Sequence, residues 1–266
     1  MVAITDTRSQ PKSSIPLSSQ AQSQERGSAI EPTNISEIIY PSSDGEPLAE
    51  TQEHSLAILI AFSILRQYFQ DQQAVVFANQ FFYYIEKKPR ARVAPDVMVV
   101  FDIPVKLYSN YKLWEGQQTP AIIFEITSAG TKENDWNFKK LLYEQLGIHE
   151  YWLFDPYGEW VPEQLQGYRL NEDGQYKLIA DSCSEVLQLR LQAEDYLIGF
   201  YRLDNNEKLL TPDELFVASQ EASQRAEEAS QQAEEASQRA QFEKTRGDRL
   251  AEKLRALGVD PDSDDL

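Results

Sequence analysis

The chain is poor in the residues that cross-link proteins or bind soft metals. It has a single cysteine, Cys183, and two histidines, His54 and His149, among 266 residues. One cysteine excludes an internal disulfide and points to a reducing compartment, so the cytoplasm is the expected location. One thiol and two distant imidazoles also leave a zinc cluster without ligands. Long apolar runs are missing. The most apolar window, Leu56 to Leu65, is about half the roughly 20 residues that span a bilayer. The N-terminal Met-Val-Ala-Ile-Thr-Asp-Thr-Arg has neither the basic stretch nor the apolar core of a signal peptide, so no membrane partner is expected. Positive charge is scarce as well: 25 Lys and Arg stand against 43 Asp and Glu, a net charge of −18. Residues 46–211 alone hold 24 acids against 15 bases and sit at −9. Gripping many phosphates takes a broad basic surface. This balance argues against tight, general DNA binding and leaves only local basic patches.

What the chain does have is segregated. Its 13 Tyr, 12 Phe and 4 Trp lie almost entirely in the middle. Residues 1–45, rich in Ser, Gln, Pro and Thr, show no hydrophobic period and are expected to be mostly disordered. Residues 46–211 read as one α/β domain. Ser55 to Arg66 is apolar on nearly every side, as suits a helix buried against a sheet. Ala74–Ile85 is rich in Val, Phe and Tyr and reads as a strand. Asp96–Phe101 and Ala121–Thr127 are almost continuous apolar runs, the pattern of central strands covered on both faces. Residues 133–146 read as an amphipathic helix stopped by Gly147, followed by a strand over Tyr151–Phe154. Later strands are expected at Gly167–Leu170, Tyr176–Ala180 and within Glu185–Leu191. The order helix, three strands, helix, strand predicts a mixed sheet flanked by helices.

From Glu221 a seven-residue pattern recurs, with alanines at 222, 226, 229, 233, 236 and 240. The same register reaches Leu215 upstream and Leu250, Leu254 and Leu257 downstream, broken by Glu243 and Gly247. A sustained heptad over 212–258 predicts a C-terminal coiled-coil helix and a homodimer. An alanine seam buries little area, so a single solvated helix stands as the other reading. Residues 259–266 form an acidic tail.

Acidic residues inside apolar strands mark the chemistry. Asp96 opens one central strand and Glu125 sits near the end of the next. If the two strands pair antiparallel, the carboxylates converge on one edge of the sheet. Two such groups repel and lose hydration, and a divalent cation relieves both costs. Hard oxygen ligands suit Mg²⁺ or Mn²⁺. Asp135, Lys139 and Tyr143 are four apart and share one helical face. Lys139 there could orient a water or stabilise charge on a phosphate, or could simply form an i,i+4 ion pair with Asp135. Lys87, Lys88, Arg90 and Arg92 cluster just before Asp96. They could hold a phosphate backbone as DNA contacts, or keep a hairpin tip soluble. His149 reads as a turn residue, and Trp136 and Phe138 as packing residues.

Pro95-Asp96-Val97, Phe124-Glu125-Ile126-Thr127-Ser128, Asp135-x3-Lys139-x3-Tyr143 and Gly147-Ile-His-Glu-Tyr-Trp-Leu-Phe-Asp-Pro156, in this order, resemble the Uma family of restriction-endonuclease-type proteins, in the PD-(D/E)XK nuclease superfamily. The resemblance covers about residues 47–211. It implies a restriction-endonuclease-like fold and Mg²⁺-dependent hydrolysis of phosphodiesters, with DNA as substrate. Asp96 and Glu125 match the metal-binding acids, and the three catalytic positions are Asp96, Glu125 and Lys139. The superfamily usually has its lysine two residues after the second acid, where this chain has Thr127; Lys139 is the match to the helical lysine of the Uma-type pattern. Ala129 and His149 stand where proline is common in the family. Glu53, His54 and Asp135 are accessory candidates, His54 at the family's usual histidine position. The other functional class open to this sequence is a non-catalytic interaction protein that keeps the fold and works through its coiled coil.

Overall fold

A computed structural model describes residues 38–45, 50–128, 130–131 and 133–258. These belong to one unit, Ile38–Leu266; the other unit, Met1–Glu37, holds most of the expected disordered segment and lies outside the described residues, as does the acidic tail. Helix α1 spans Gln52–Tyr68, capped by the Thr51 side chain accepting from His54 N–H. Strands β1 (Ala74–Ala78), β2 (Phe82–Tyr83), β3 (Arg92–Val93), β4 (Val97–Phe101) and β5 (Tyr111–Lys112) follow, then a single helical turn, α2 (Leu113–Gly116). Strand β6 (Ile122–Ile126) leads through a π turn over Asn134–Lys139 into α3 (Lys140–Gln145) and strand β7 (Glu150–Phe154). Strands β8 (Leu165–Leu170), β9 (Tyr176–Leu178), β10 (Cys183–Ser184), β11 (Leu189–Glu194) and β12 (Leu197–Arg202) complete the domain, and α4 runs over Pro212–Ala256.

The central sheet has six strands in the order β1-β4-β6-β7-β8-β9. Only β6 and β7 pair parallel within it, joined by the π turn and α3 as crossover; β4 and β6 pair antiparallel, as expected. The sheet is therefore mixed, with helices against its faces. Alternation along each strand separates two apolar layers. Val97, Val99, Ile122, Phe124, Ile126, Trp152 and Phe154 pack with Ala57, Ile58, Ala61 and Leu65 of α1 and with Leu189, Leu191 and Phe200 of the β10-β11-β12 sheet. Met98, Val100, Ile123, Tyr151 and Leu153 pack on the other face with Tyr143 and Ile148. With both faces covered, β6 and β7 are buried at every position. On β8, Gly167 lets the Trp152 ring lie so close that an added Cβ would stand 2.7 Å from it.

The structure departs from the sequence reading at three points. The single strand expected over Ala74–Ile85 breaks after Ala78, because Asn79 takes a left-handed φ of 50° that a strand cannot continue and asparagine tolerates. The chain then turns into a small separate sheet ordered β3-β2-β5. Phe138 is not a packing residue: it is 55% exposed on the outer side of the helix. Strand β12, unmarked in the sequence reading, closes the last hairpin.

The amphipathic helix does end at Gly147, which takes a φ of 74° that costs glycine little. His149 is exposed in the turn that follows. Helix α4 begins with a full capping box between Thr211 and Glu214 and has no buried residue. Among the described residues no helix is long and apolar enough to cross a membrane.

Candidate active site

The register that aligns Val97 with Phe124 places Asp96 opposite Glu125 at one end of the central sheet. Both side chains follow the alternation of Met98 and Ile123, so both face the layer that contains Tyr143. Burial there is severe: Asp96 is 9% exposed and Glu125 is 0%. Each carboxylate has found donors. Asp96 Oδ2 accepts the Ile126 N–H at 2.7 Å. Glu125 Oε1 accepts from the Tyr143 hydroxyl at 2.7 Å, and Oε2 from Lys139 Nζ at 2.8 Å.

Lys139 does more than pair with its helical neighbour. Its ammonium lies 2.8 Å from Glu125 Oε2 and 2.8 Å from Asp135 Oδ1, bridging strand β6 to the π turn. The i,i+4 ion pair expected from the spacing is present, and the same ammonium also reaches the strand. The π turn explains how. An α-helix turns about 100° per residue, so side chains four apart drift by about 40° each step. A π turn closes its bonds one residue later and is wider. It offsets the drift, and Asp135, Lys139 and Tyr143 stay directed at one strand. Tyr143 is the ligand of Glu125 that sequence reasoning left without a role, although its spacing from Lys139 carried the signal.

The charges are strongly coupled. Burial pushes the Asp96 carboxyl well above the usual carboxylate range, the Glu125 charge pushes the same way, and Lys139 offsets part of it. Burial likewise raises Glu125, with Lys139 opposing and Asp135 reinforcing. Burial alone would depress Lys139, but Glu125, Asp135 and Asp96 outweigh it and hold the ammonium above the ordinary lysine value. Burial, then the Glu125 charge, keeps the Tyr143 hydroxyl protonated as a donor.

The accessory candidates divide. His54 Nε2 lies 2.6 Å from the Ile126 carbonyl, which can only accept, so Nε2 carries the hydrogen. Its Nδ1 lies 2.7 Å from Glu50 Oε2, and Asp96 Oδ2 is 3.9 Å from Nε2. His54 thus ties the start of α1 to the backbone beside Glu125. Asp135, 1% exposed, belongs to the cluster. Glu53 does not: its carboxylate accepts from Tyr157 OH at 3.0 Å and makes no bond to the cluster among the described residues.

Three carboxylates and one ammonium leave the ionised cluster two charges negative, and two buried polar groups in or beside it lack hydrogen-bond partners. Thr127 Oγ1 and Asp135 Oδ2 have no hydrogen-bond partner among the described residues, while Asp135 Oδ1 has the Lys139 ammonium at 2.8 Å. Thr127 follows Glu125 by two residues and so shares its face. Excess negative charge, all-oxygen donors and unsatisfied oxygens fit a divalent cation of the Mg²⁺ kind, which takes one or two protein carboxylates and fills its other positions with water and phosphate. A closed cage is not present: among the described residues no three carboxylate, imidazole or thiol groups are drawn together tightly enough to hold a metal ion.

The small sheet leaves the domain at this same end. Asn79 N–H donates to the Asp96 carbonyl, β2 starts just beyond, and β3 returns just before Asp96. Lys87, Lys88 and Arg90 are exposed at the tip between β2 and β3. Arg92 lies over the Phe81 ring, 4.2 Å from its centroid.

A family model described as "Uma2: Putative restriction endonuclease" matches residues 31–197. The chain belongs to the Uma2 family. The matched stretch contains the whole of the cluster, from His54 to Tyr143, and the hairpin beside it. Among solved structures, the Uma2 chain is similar to one described as a putative nuclease belonging to DUF820 from Anabaena variabilis ATCC 29413. The two are 16% identical with a TM-score of 0.38, over 52% of this chain and 72% of that one. No curated protein matches this chain.

Proposed function

We propose that this Uma2 protein is an endonuclease that hydrolyses phosphodiester bonds in DNA with Mg²⁺ or Mn²⁺ bound at Asp96 and Glu125. One observation carries the reading: two acids from neighbouring strands and a lysine from the following helix meet in a single buried cluster at one sheet end. A purely structural ion pair does not need the third carboxylate or the unsatisfied oxygens. The bound cation would polarise the phosphate and lower the pKa of a metal-bound water. Asp96 and Glu125 would hold it. Tyr143 and the Ile126 N–H fix the two carboxylates in place, each through one oxygen. Lys139, anchored by Asp135, presents a fixed positive charge beside the strand end, where charge on an equatorial phosphate oxygen builds in the transition state. Recessed carboxylates also keep bulk water away from the reacting phosphate, which strengthens every one of these interactions.

Purified full-length protein is expected to nick DNA only when Mg²⁺ or Mn²⁺ is added. The Asp96→Ala variant should lose at least about 10²-fold in rate with an unchanged circular-dichroism spectrum. Failure to cut any nucleic acid under either ion, together with no Mg²⁺ binding by calorimetry, overturns the assignment.

Helix α4 supports a second working part. Its forty-five residues have no buried side chain, so the seam formed by Leu215, the alanines, Leu250 and Leu254, with Leu257 just beyond the helix, is open to a partner. A second copy would supply that partner by pairing the same seam. Light scattering should give the mass of a dimer for the full chain and of a monomer for the Leu250→Glu, Leu254→Glu variant; a monomeric parent protein rules the pairing out. If Asp96→Ala has no effect on any activity while this helix variant abolishes partner capture, the chain is an interaction protein instead.

A further inference from the structure

We infer that the small sheet beside the site is a platform for one unpaired polynucleotide strand, which it leads into the recessed carboxylates. The inference rests on the nuclease reading and names the form of its substrate.

Two kinds of group gather on and around this sheet. The first is aromatic. Tyr40 packs edge-on against Tyr83 with centroids 5.2 Å apart and against Trp114 at 5.1 Å, and Phe81 meets Tyr83 at 6.1 Å. Phe81, Tyr40 and Trp114 remain partly exposed. The segment bearing Tyr40 is strapped down: Tyr83 OH donates to the Pro41 carbonyl at 2.5 Å, and Lys87 N–H donates to Tyr40 OH at 2.7 Å. The rings are therefore held in place before any ligand arrives, and stacking on them costs little ordering. The second kind is cationic. Between Gln80 and Pro95 four bases face one acid, Glu86, in a domain that is acidic overall. Lys87, Lys88 and Arg90 are exposed and form no ion pair among the described residues. Lys112 is different, being tied to Glu115 at 2.8 Å.

Charge and shape then select the ligand. A polyanion is the complement of this patch, and it is the wrong partner for the rest of the domain. Duplex binding usually neutralises about 6–10 phosphates over a wide basic surface, and a patch of four cations cannot do so. A single strand needs a narrow basic track and aromatic faces for its bases. Access points the same way. Asp96 and Glu125 are buried, and a flexible single strand bends a phosphate into such a recess at less cost than a duplex, whose deformation takes several kcal/mol. The distances are short: Arg92 is four residues before Asp96, at most about 14 Å along the extended chain, so a strand held on the hairpin has a phosphate within a few nucleotides of the carboxylates.

Fluorescence anisotropy with full-length protein in EDTA tests this without hydrolysis. Labelled oligothymidylate should bind at least about tenfold tighter than a duplex of equal length. The Lys87→Glu, Lys88→Glu, Arg90→Glu variant, altered only at exposed side chains, should weaken that binding at least about tenfold and flatten its salt dependence. Lys177→Glu on the distant strand β9 should change it less than about twofold. An abasic strand of the same length should bind at least about fivefold more weakly, because it offers phosphates without stacking. Oligouridylate in a parallel arm tells whether the strand taken is DNA or RNA, and binding of either at this margin supports the platform. Duplex binding as tight as single-strand binding, or a triple variant equal to the parent, overturns it. Strand binding in EDTA without later cutting in Mg²⁺ leaves the platform standing and removes the nuclease reading. Cutting of duplex alone does the reverse.

Discussion

Replacing Lys139 with methionine is expected to abolish cutting and, separately, to destabilise the metal-free protein. The first effect is a loss of about 10²–10³ in rate, the usual cost of removing one preorganised group aimed at transition-state charge. The second follows from burial. Methionine keeps the length of the side chain but leaves Glu125 and Asp135, both nearly inaccessible, facing each other without the ammonium that now lies 2.8 Å from each. Removing one partner of a buried ion pair costs about 3–5 kcal/mol, which for a domain of this size lowers Tm by roughly 6–20 °C. A bound divalent cation replaces the missing charge, so Mg²⁺ should raise Tm more in the variant than in the parent. Thermal unfolding with and without Mg²⁺ measures both. Equal Tm values for parent and variant in EDTA would mean that Lys139 is not the counter-charge of this cluster.

The second large effect lies at the other end of the sheet. Glu150 is fully buried at the start of β7, and donors surround it. Arg169 Nε donates to Oε1 at 3.0 Å and the Glu185 N–H at 2.8 Å, while Trp152 Nε1 and Ser184 Oγ donate to Oε2 at 3.1 and 2.5 Å. This carboxylate stitches β7, β8 and the turn of β10 together. Glu150→Ala leaves an indole N–H, a hydroxyl and a guanidinium without their acceptor inside the protein, and is expected to cost about 3–5 kcal/mol. Denaturant unfolding checks it. Pairing with Ile122, four positions before Ile126 on β6, puts Glu150 far from Asp96. The folded fraction should therefore cut DNA at the parent rate. A variant as stable as the parent would show that the network is dispensable.

These two buried glutamates show how much of the site was legible in the chain. Both stand in apolar strands, but the expected strand begins at Tyr151, so the sequence marks only Glu125 as a costly carboxylate. Only Glu125 is matched by an acid at the facing end of the neighbouring strand, which is why Asp96 and Glu125 could be paired as candidates from position. Lys139 was legible by spacing and by family resemblance, although its reach to Glu125 was not. That contact depends on the π turn, and a wider turn leaves no mark in a pattern that reads as an amphipathic helix. Tyr143 shows the same limit: a tyrosine on an apolar face looks like packing until the strand opposite it carries a carboxylate. Glu53 shows the converse. It stands beside His54 in sequence, but neighbouring residues of a helix point about 100° apart, so one reaches the Ile126 carbonyl and the other meets Tyr157.

The sequence by itself determined the order of the main helices and central strands, the two covered faces of those strands, the acid pair and the membership of the Uma2 family, because each of these is written in local periodicity or in a motif of fixed spacing. The tertiary structure decided three things: the break at Asn79 that turns the hairpin out beside the site, the sharing of one ammonium between Glu125 and Asp135, and the satisfaction of Glu150 far from the chemistry. The reason is the same in each case. A buried charge takes whichever partner the packed chain brings within about 3 Å, and sequence distance does not measure that.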